Sequence, residues 1–339
     1  MPIRRIVSTR AKHFRSLADV DVRFGPFTVL IGPNGSGKSN LLGVLRFLGD
    51  IARKEQLAFK RFSGPGRRIT VSGDQYTLST RSESLQATEH TGAFRSSRTT
   101  ALATLPKLAP EEGGRGIAEV AGFLEGIFVF EPDVRAIRRP ALRDLEQSSA
   151  LRPDAANLGL FLDRLRREEP DRLERIEADL ARCLPGARGL EFAELGGNLE
   201  AVEVRLREQG LERAIPLAHA SWGTVRLLAL LAVLHRPGRH RLIAIEELDA
   251  GLHPYALDPL VDRLREAAEH TQLLIAAHSP TLVNRLRPEE MLVCDRRPET
   301  GESVIPARTA EEVRQALERA PDSAAGELWF AGVLGGVPA

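Results

Sequence analysis

Phe27-Thr28-Val29-Leu30-Ile31-Gly32-Pro33-Asn34-Gly35-Ser36-Gly37-Lys38-Ser39-Asn40 is the stretch that decides the fold. The apolar run Phe27 to Ile31 reads as a buried strand. Residues 32–39 fit the pattern G-x-x-x-x-G-K-[ST]. Asn40 to Leu48 reads as a helix. Strand, glycine-rich loop and helix in that order form a cradle for a triphosphate. Gly32, Gly35 and Gly37 let the backbone turn tightly, so that successive N–H groups face an anion. Lys38 supplies a point charge for the β- and γ-phosphates, and Ser39 a hydroxyl for the accompanying Mg²⁺. The helix N-terminus adds a favourable dipole. Pro33, Asn34, Ser36 and Asn40 complete the nucleotide-binding set. The loop alone does not separate a kinase, a GTPase, a helicase and a transport-type ATPase.

Three segments further along the chain narrow the choice. Leu242-Ile243-Ala244-Ile245-Glu246-Glu247 is an apolar strand ending in two carboxylates. A Mg-ATP hydrolase needs one acid to hold the magnesium and a second to orient and deprotonate the attacking water. Glu246 is the expected magnesium residue and Glu247 the expected base. Ile275-Ala276-Ala277-His278-Ser279-Pro280 puts His278 at the C-terminal end of a strand, where open α/β sheets bind ligands. There it has the reach of a γ-phosphate or of the water. His219-Ala220-Ser221-Trp222-Gly223-Thr224 precedes an apolar helix, and Ser221 and Gly223 at its start form a natural anion site. Taken singly, His278 fits a locally satisfied strand cap equally well, and Ser221 an ordinary helix cap.

Composition sets the bounds. The chain has 339 residues, 42% of them hydrophobic, enough for one large α/β domain or two small ones. Lys and Arg number 47 against 46 Asp and Glu, a formal net charge of +1, which argues against a protein that coats nucleic acid. The two cysteines, Cys183 and Cys294, are too far apart for a zinc spacing or a disulfide framework, as expected in a reducing compartment. The N-terminus lacks the apolar core of a signal peptide, and no run reaches the ~18 apolar residues of a membrane helix. A cytoplasmic protein with no membrane partner is expected.

The rest of the chain alternates strand and helix signals. Ile3–Thr9 and Val20–Phe24 read as strands around the turn 13–16, and Arg67–Arg81 as a hairpin around Gly73-Asp74. Residues 82–116 are polar and aperiodic and read as a loop or partly ordered insertion. Ile127–Phe130 is a short strand. Asn157–Leu184 is helical with a break at Glu169-Pro170-Asp171, where Asp171 suits a cap. Leu173, Ile176, Leu180 and Leu184 share one face. Leu190–Leu206 reads as two strands around Gly196-Gly197-Asn198. Helices at Thr224–Leu234 and Pro254–His270 and strands at Leu273–Ala277 and Met291–Cys294 follow. Strands alternating with helices imply a mostly parallel sheet flanked by helices. No heptad pattern is sustained.

In this order the segments resemble the ABC-type ATPase heads of the RecF/SMC group. They are most similar to small bacterial AAA-family ATPases related to the overcoming-lysogenization-defect (OLD) and RecF proteins. His13-Phe14-Arg15-Ser16-Leu17 resembles that family's Asn-Phe-(Lys/Arg)-Ser segment, with His in the Asn place. Residues 31–40 match its Walker A, Ser221 to Leu227 its signature and Glu246-Glu247 its Walker B end. Asp249-Ala250-Gly251-Leu252-His253-Pro254 is similar to its D-loop, Ala277 to Pro280 to its switch-histidine loop, and Gly326 to Phe330 to its C-terminal end. Glu246 stands where most ABC ATPases carry Asp. Trp222 and Thr224 replace smaller or more polar residues. Gln75 and Gln86 are both open as the Q-loop glutamine.

The resemblance implies a P-loop NTPase of ABC-head type, with a mixed or parallel sheet flanked by helices and a short-armed helical insertion. It implies one head over residues 1–339, with an N-terminal lobe at 1–60, an insertion over 82–190 and a second lobe at 215–339. It implies ATP and Mg²⁺ as cofactors and a homodimer on ATP binding. In that dimer Ser221 and Gly223 of one copy face the phosphate loop of the other. It further implies action with DNA, a nuclease or another effector in repair or defence, and no appended Toprim nuclease domain. A regulatory module that never touches DNA is the competing reading. Arg135, Arg138, Arg139 and Arg143, and Lys60, Arg61, Arg67 and Arg68, are two basic clusters; each also suits an ordinary solvated face.

Overall fold

A computed structural model describes residues 5–53, 68–73, 76–81, 84–91, 94–101, 122–142, 150–195, 201–236 and 241–335. Lys60, Arg61, Arg67, Gln75 and Arg143 lie outside these residues, as do the side chains of Arg68 and Gln86. The chain divides into two compact units. The first comprises residues 1–129, 239–246 and 268–339, and the second residues 130–238 and 247–267.

The first unit is built on a five-stranded sheet in the order Met291–Val293, Phe27–Ile31, Gln272–Ala277, Leu242–Ile245, Ile127–Phe130. The pairs from Met291–Val293 to Leu242–Ile245 are parallel. Phe27–Ile31, Leu242–Ile245 and Gln272–Ala277 are buried at every position, as continuous apolar runs in a covered parallel sheet should be. The helix Lys38–Ala52 lays Leu41, Leu42, Val44, Leu45 and Leu48 into one core with Leu30, Ala244, Leu274 and Ala276. Each such leucine contributes about 1.5–3 kcal/mol of apolar burial.

A second sheet in this unit is antiparallel and six-stranded: Leu17–Arg23, Ile6–Phe14, Arg68–Gly73, Tyr76–Arg81, Ser84–Thr91 and Phe94–Ala101. Two expectations change here. The first strand runs on to Phe14, which pairs with Leu17, so the turn shrinks to Arg15-Ser16 with Arg15 at φ 55°. Ser84–Thr91 and Phe94–Ala101, within the stretch expected as a loop or partly ordered insertion, form two strands in register with Tyr76–Arg81 and with each other. Ser84 to Thr91 lacks the apolar alternation that announces a strand. Backbone pairing to a neighbour is what defines it.

The second unit carries an antiparallel sheet of Ala187–Leu195, Ala201–Glu208 and Ile215–Pro216, with Ala141–Leu142 on the other side of Ala201–Glu208. The expected helical break is present. One helix ends at Glu168 and the next starts at Pro170, with Glu169 in the cap position and Asp171 already in the first turn. The buried face of Pro170–Cys183 is Leu173, Ile176, Leu180 and Cys183. Leu184 is the half-buried residue that ends the helix, not part of that face. The helix Trp222–Leu234 is apolar on all sides and buried from Val225 to Val233, as a central helix must be.

Asp179 ties three helices of this unit together. It accepts from His235 Nε2 at 2.7 Å, just beyond Trp222–Leu234, and from Arg263 Nε at 3.0 Å, on Pro254–Ala268. Its carboxylate side chain is 13% exposed. Arg172 Nη1 donates to the His235 carbonyl at 3.1 Å, satisfying an orphan acceptor at the helix end.

Candidate nucleotide site

The parallel register brings three chain crossings to one sheet edge. Ala277 lies opposite Ile31, and Ile245 opposite Ile275, which in turn lies opposite Val29. Gly32, Glu246 and His278 each leave their strand at that C-terminal edge, the rim where open α/β sheets take ligands.

The loop's backbone has the shape its glycines suggest. Gly35 has φ +80° and Gly37 φ +102°, the left-handed side where Gly carries no steric cost. Close approach matters as much. A Cβ on Gly32 would sit 2.2 Å from the Cys294 carbonyl oxygen, and one on Gly37 would sit 2.1 Å from Ser303 Oγ. Ser303 Oγ shares a 2.6 Å hydrogen bond with Ser16 Oγ, which accepts from Asn40 Nδ2 at 2.7 Å. Asn40 Oδ1 accepts from Arg15 Nη1 at 3.1 Å. The Asn40 side chain thus joins the loop to the turn Arg15-Ser16.

Lys38 is 3% exposed. Its ammonium donates to the carbonyls of Gly32 at 2.6 Å and Pro33 at 2.8 Å and to Ser36 Oγ at 3.3 Å. These three acceptors are neutral and curl the side chain over the loop. Ser39 Oγ donates to Glu246 Oε2 at 2.8 Å across 207 residues of chain. The longer side chain at the first Walker B position therefore does reach the hydroxyl. His278 is half-buried directly after its strand.

These residues fit a nucleotide and its magnesium. The loop presents backbone donors around a cation that is already held in place. Ser39 and Glu246 offer hard oxygen donors, and Mg²⁺ takes one or two of those while water and phosphate supply the rest. No cluster of three or more His, Cys, Asp or Glu side chains poised for a metal occurs among the described residues.

Ser221, Gly223 and Glu247 belong to the second unit. Ser221 is the N-cap expected: its Oγ accepts from Thr224 N at 3.1 Å. Gly223 has a reason invisible in sequence, since a Cβ there would lie 2.2 Å from the Gly251 carbonyl oxygen. Glu247 has φ +49°, a left-handed conformation uncommon outside Gly. Arg226, which the sequence reading passed over, is 5% exposed and donates from Nη2 to the Glu247 carbonyl at 2.6 Å. Of the basic residues at 135–139, Arg135 and Arg139 are exposed, whereas Arg138 donates to the Ala220 carbonyl at 2.6 Å.

Residues 27–100 and 112–284 match the family described as "AAA domain, putative AbiEii toxin, Type IV TA system". The chain belongs to this AAA family. A 43-residue stretch is 44% identical to an OLD nuclease of Thermus scotoductus, covering 12% of this chain and 8% of that protein. Among solved structures, the Smc head domain of Pyrococcus furiosus with an extended coiled coil, bound to the C-terminal domain of ScpA, aligns with TM-score 0.59. The identity is 14%, over 94% of this chain and 100% of that one. An SmcHead bound to the C-winged helix domain of ScpA also gives TM-score 0.59, at 16% identity over 91% and 99% of the two chains. The fold is thus that of an SMC-like P-loop ATPase head, as the sequence resemblance implied. No helix among the described residues is long and apolar enough to cross a membrane.

Proposed function

We propose that this AAA-family chain binds and hydrolyses ATP, and that ATP binding closes two copies into a dimer. The observation that carries the reading is the hydrogen bond from Ser39 Oγ to Glu246 Oε2 beside the enclosed Lys38 amine. A P-loop hydroxyl and a Walker B acid are in hydrogen-bond contact, at the sheet edge where His278 also emerges.

In this reading the N–H groups of residues 34–40 and the Lys38 ammonium hold the phosphates. Ser39 and Glu246 hold the magnesium, which when bound neutralises charge on the transferring phosphoryl group. Glu247 takes the proton from the attacking water, and His278 hydrogen-bonds the γ-phosphate or that water. Ser221 and Gly223 of the second copy aim their helix N-terminus at the γ-phosphate, adding positive potential where charge develops. Nucleotide turnover then switches the dimer on and off a DNA or effector partner in the cytoplasm, in repair or phage defence. The family's toxin–antitoxin description, the nuclease relative and the ScpA-bound SMC heads support a partner protein.

Glu247→Gln tests the reading. The variant should bind ATP, turn over at least about 100-fold more slowly and elute as a dimer with ATP and as a monomer without it. Hydrolysis at the wild-type rate would refute Glu247 as base. Monomeric elution with saturating ATP would refute the switch.

A further inference from the structure

The segment after Glu246 is fastened to the start of the helix Trp222–Leu234 at three points, all within one compact unit. Arg226 reaches from the second turn of that helix to the Glu247 carbonyl. Gly223 and Gly251 meet backbone to backbone, so closely that no side chain fits at residue 223. The Trp222 ring lies over Gly251, with Cδ1 2.7 Å from where a Cβ would project. Between the fastenings the chain makes two tight turns, Ala250 N to Glu247 O at 3.1 Å and Leu252 N to Asp249 O at 3.2 Å.

Glu247 stands in the middle of this arrangement in a left-handed conformation that a non-Gly residue holds only when its surroundings impose it. Arg226 is the side chain that donates to its carbonyl. Burial lowers its pKa, while Glu247, Asp249 and Glu131 act in the opposite sense. Its other terminal nitrogen donates to the Pro132 carbonyl at 3.4 Å. A planar guanidinium bridging two backbone carbonyls fixes both direction and distance, which an ammonium on a flexible stem does not.

We propose that Arg226 is the positioning residue for Glu247. It fixes the backbone conformation at the general base, and it makes that conformation follow the helix that begins at Ser221. The inference rests on the hydrolase reading above. With that reading, Ser221 touches the nucleotide of the second copy while Glu247 serves the nucleotide of its own. Arg226 is then the rod that reports occupancy of one ATP site to the base of the other.

The test compares wild type, Arg226→Lys and Arg226→Met by hydrogen exchange of the full chain without nucleotide, then by ATPase kinetics. Met fills the stem's volume and leaves no buried charge, and Ala250 N still satisfies the Glu247 carbonyl. Arg226→Met should raise amide exchange of residues 248–250 by about tenfold or more, the equivalent of losing one charge-assisted hydrogen bond, and leave residues 32–39 unchanged. Its kcat should fall by at least about 20-fold, while affinity for a non-hydrolysable ATP analogue stays within about twofold. A sigmoidal dependence on ATP should become hyperbolic. Arg226→Lys should recover part of the exchange protection and part of kcat.

Unchanged exchange at residues 248–250 would overturn the proposal. So would raised exchange with undiminished kcat, which would make the contact structural only. A wild-type protein without ATPase activity would refute the hydrolase reading instead, and the exchange comparison would still decide whether Arg226 fixes the turn.

Discussion

Asp179→Asn removes the charge at the centre of the three-helix tie while keeping the side chain's shape. Asp179 Oδ2 accepts two hydrogen bonds, from His235 Nε2 at 2.7 Å and Arg263 Nε at 3.0 Å, and Arg182 lies 3.8 Å from Oδ1. Burial by itself would raise this carboxyl's pKa, but the His235 hydrogen bond and the charges of His235, Arg263 and Arg182 outweigh it and hold the pKa below its ordinary 3.8. An Asn oxygen still accepts, so what is lost is charge assistance in a pocket 13% exposed. Two such bonds, each worth about 1.5–3 kcal/mol and partly retained by the amide, give a loss of about 3 kcal/mol. Because the folded-state pKa lies below the unfolded one, the charged form stabilises the fold above pH 3.8, and that stability is lost as pH falls through the folded value. The gap between parent and variant should therefore close as pH falls below the ordinary carboxylate value. Each unit holds one of the two tryptophans, so Trp222 emission in a Trp329→Phe background reports urea unfolding of the second unit alone. A difference under about 1 kcal/mol at pH 7.5, or one that persists undiminished at pH 3, would refute the reasoning.

Glu246→Asp shortens the carboxylate's reach by one carbon–carbon bond, about 1.5 Å, and breaks the 2.8 Å contact with Ser39. Magnesium-dependent ATPase activity should fall about tenfold or more, and a rate unchanged in a magnesium titration would show that Glu246 does not hold the metal. Burial pushes the thiols of Cys183 and Cys294 up to about 12. The native protein at pH 8.5 should label with a thiol reagent about 100-fold or more slowly than the urea-unfolded chain, which should show both thiols. Either cysteine reacting at the unfolded rate would contradict its burial.

Where chemistry fixes residue type and spacing together, the sequence is readable. The phosphate loop is such a case, because backbone N–H groups, a cation and a hydroxyl must meet one ligand within eight residues. The apolar runs before Gly32, Glu246 and His278 are another, since strands buried on both faces have few polar positions to disguise them. Ser84 to Ala101 was misjudged for the opposite reason. Its strands are defined by neighbours in register, and its side chains alternate too weakly to announce them. Arg226 was missed because its partner is a backbone carbonyl 21 residues away, and a carbonyl has no signature in sequence. Gly223 is expected from the sequence at an anion site, but its contact with Gly251 depends on a loop and a helix meeting in space.

The walls around the phosphate loop carry a consequence for reading relatives of this chain. Gly32 is hemmed in by the Cys294 carbonyl and Gly37 by Ser303. Both glycines are thus requirements of packing, and a descendant that had abandoned ATP altogether would still need them. The Ser39–Glu246 contact joins two side chains and carries no such obligation to the backbone. In a pseudoenzyme built on this scaffold the glycines would survive as fossils, while the acid would drift first.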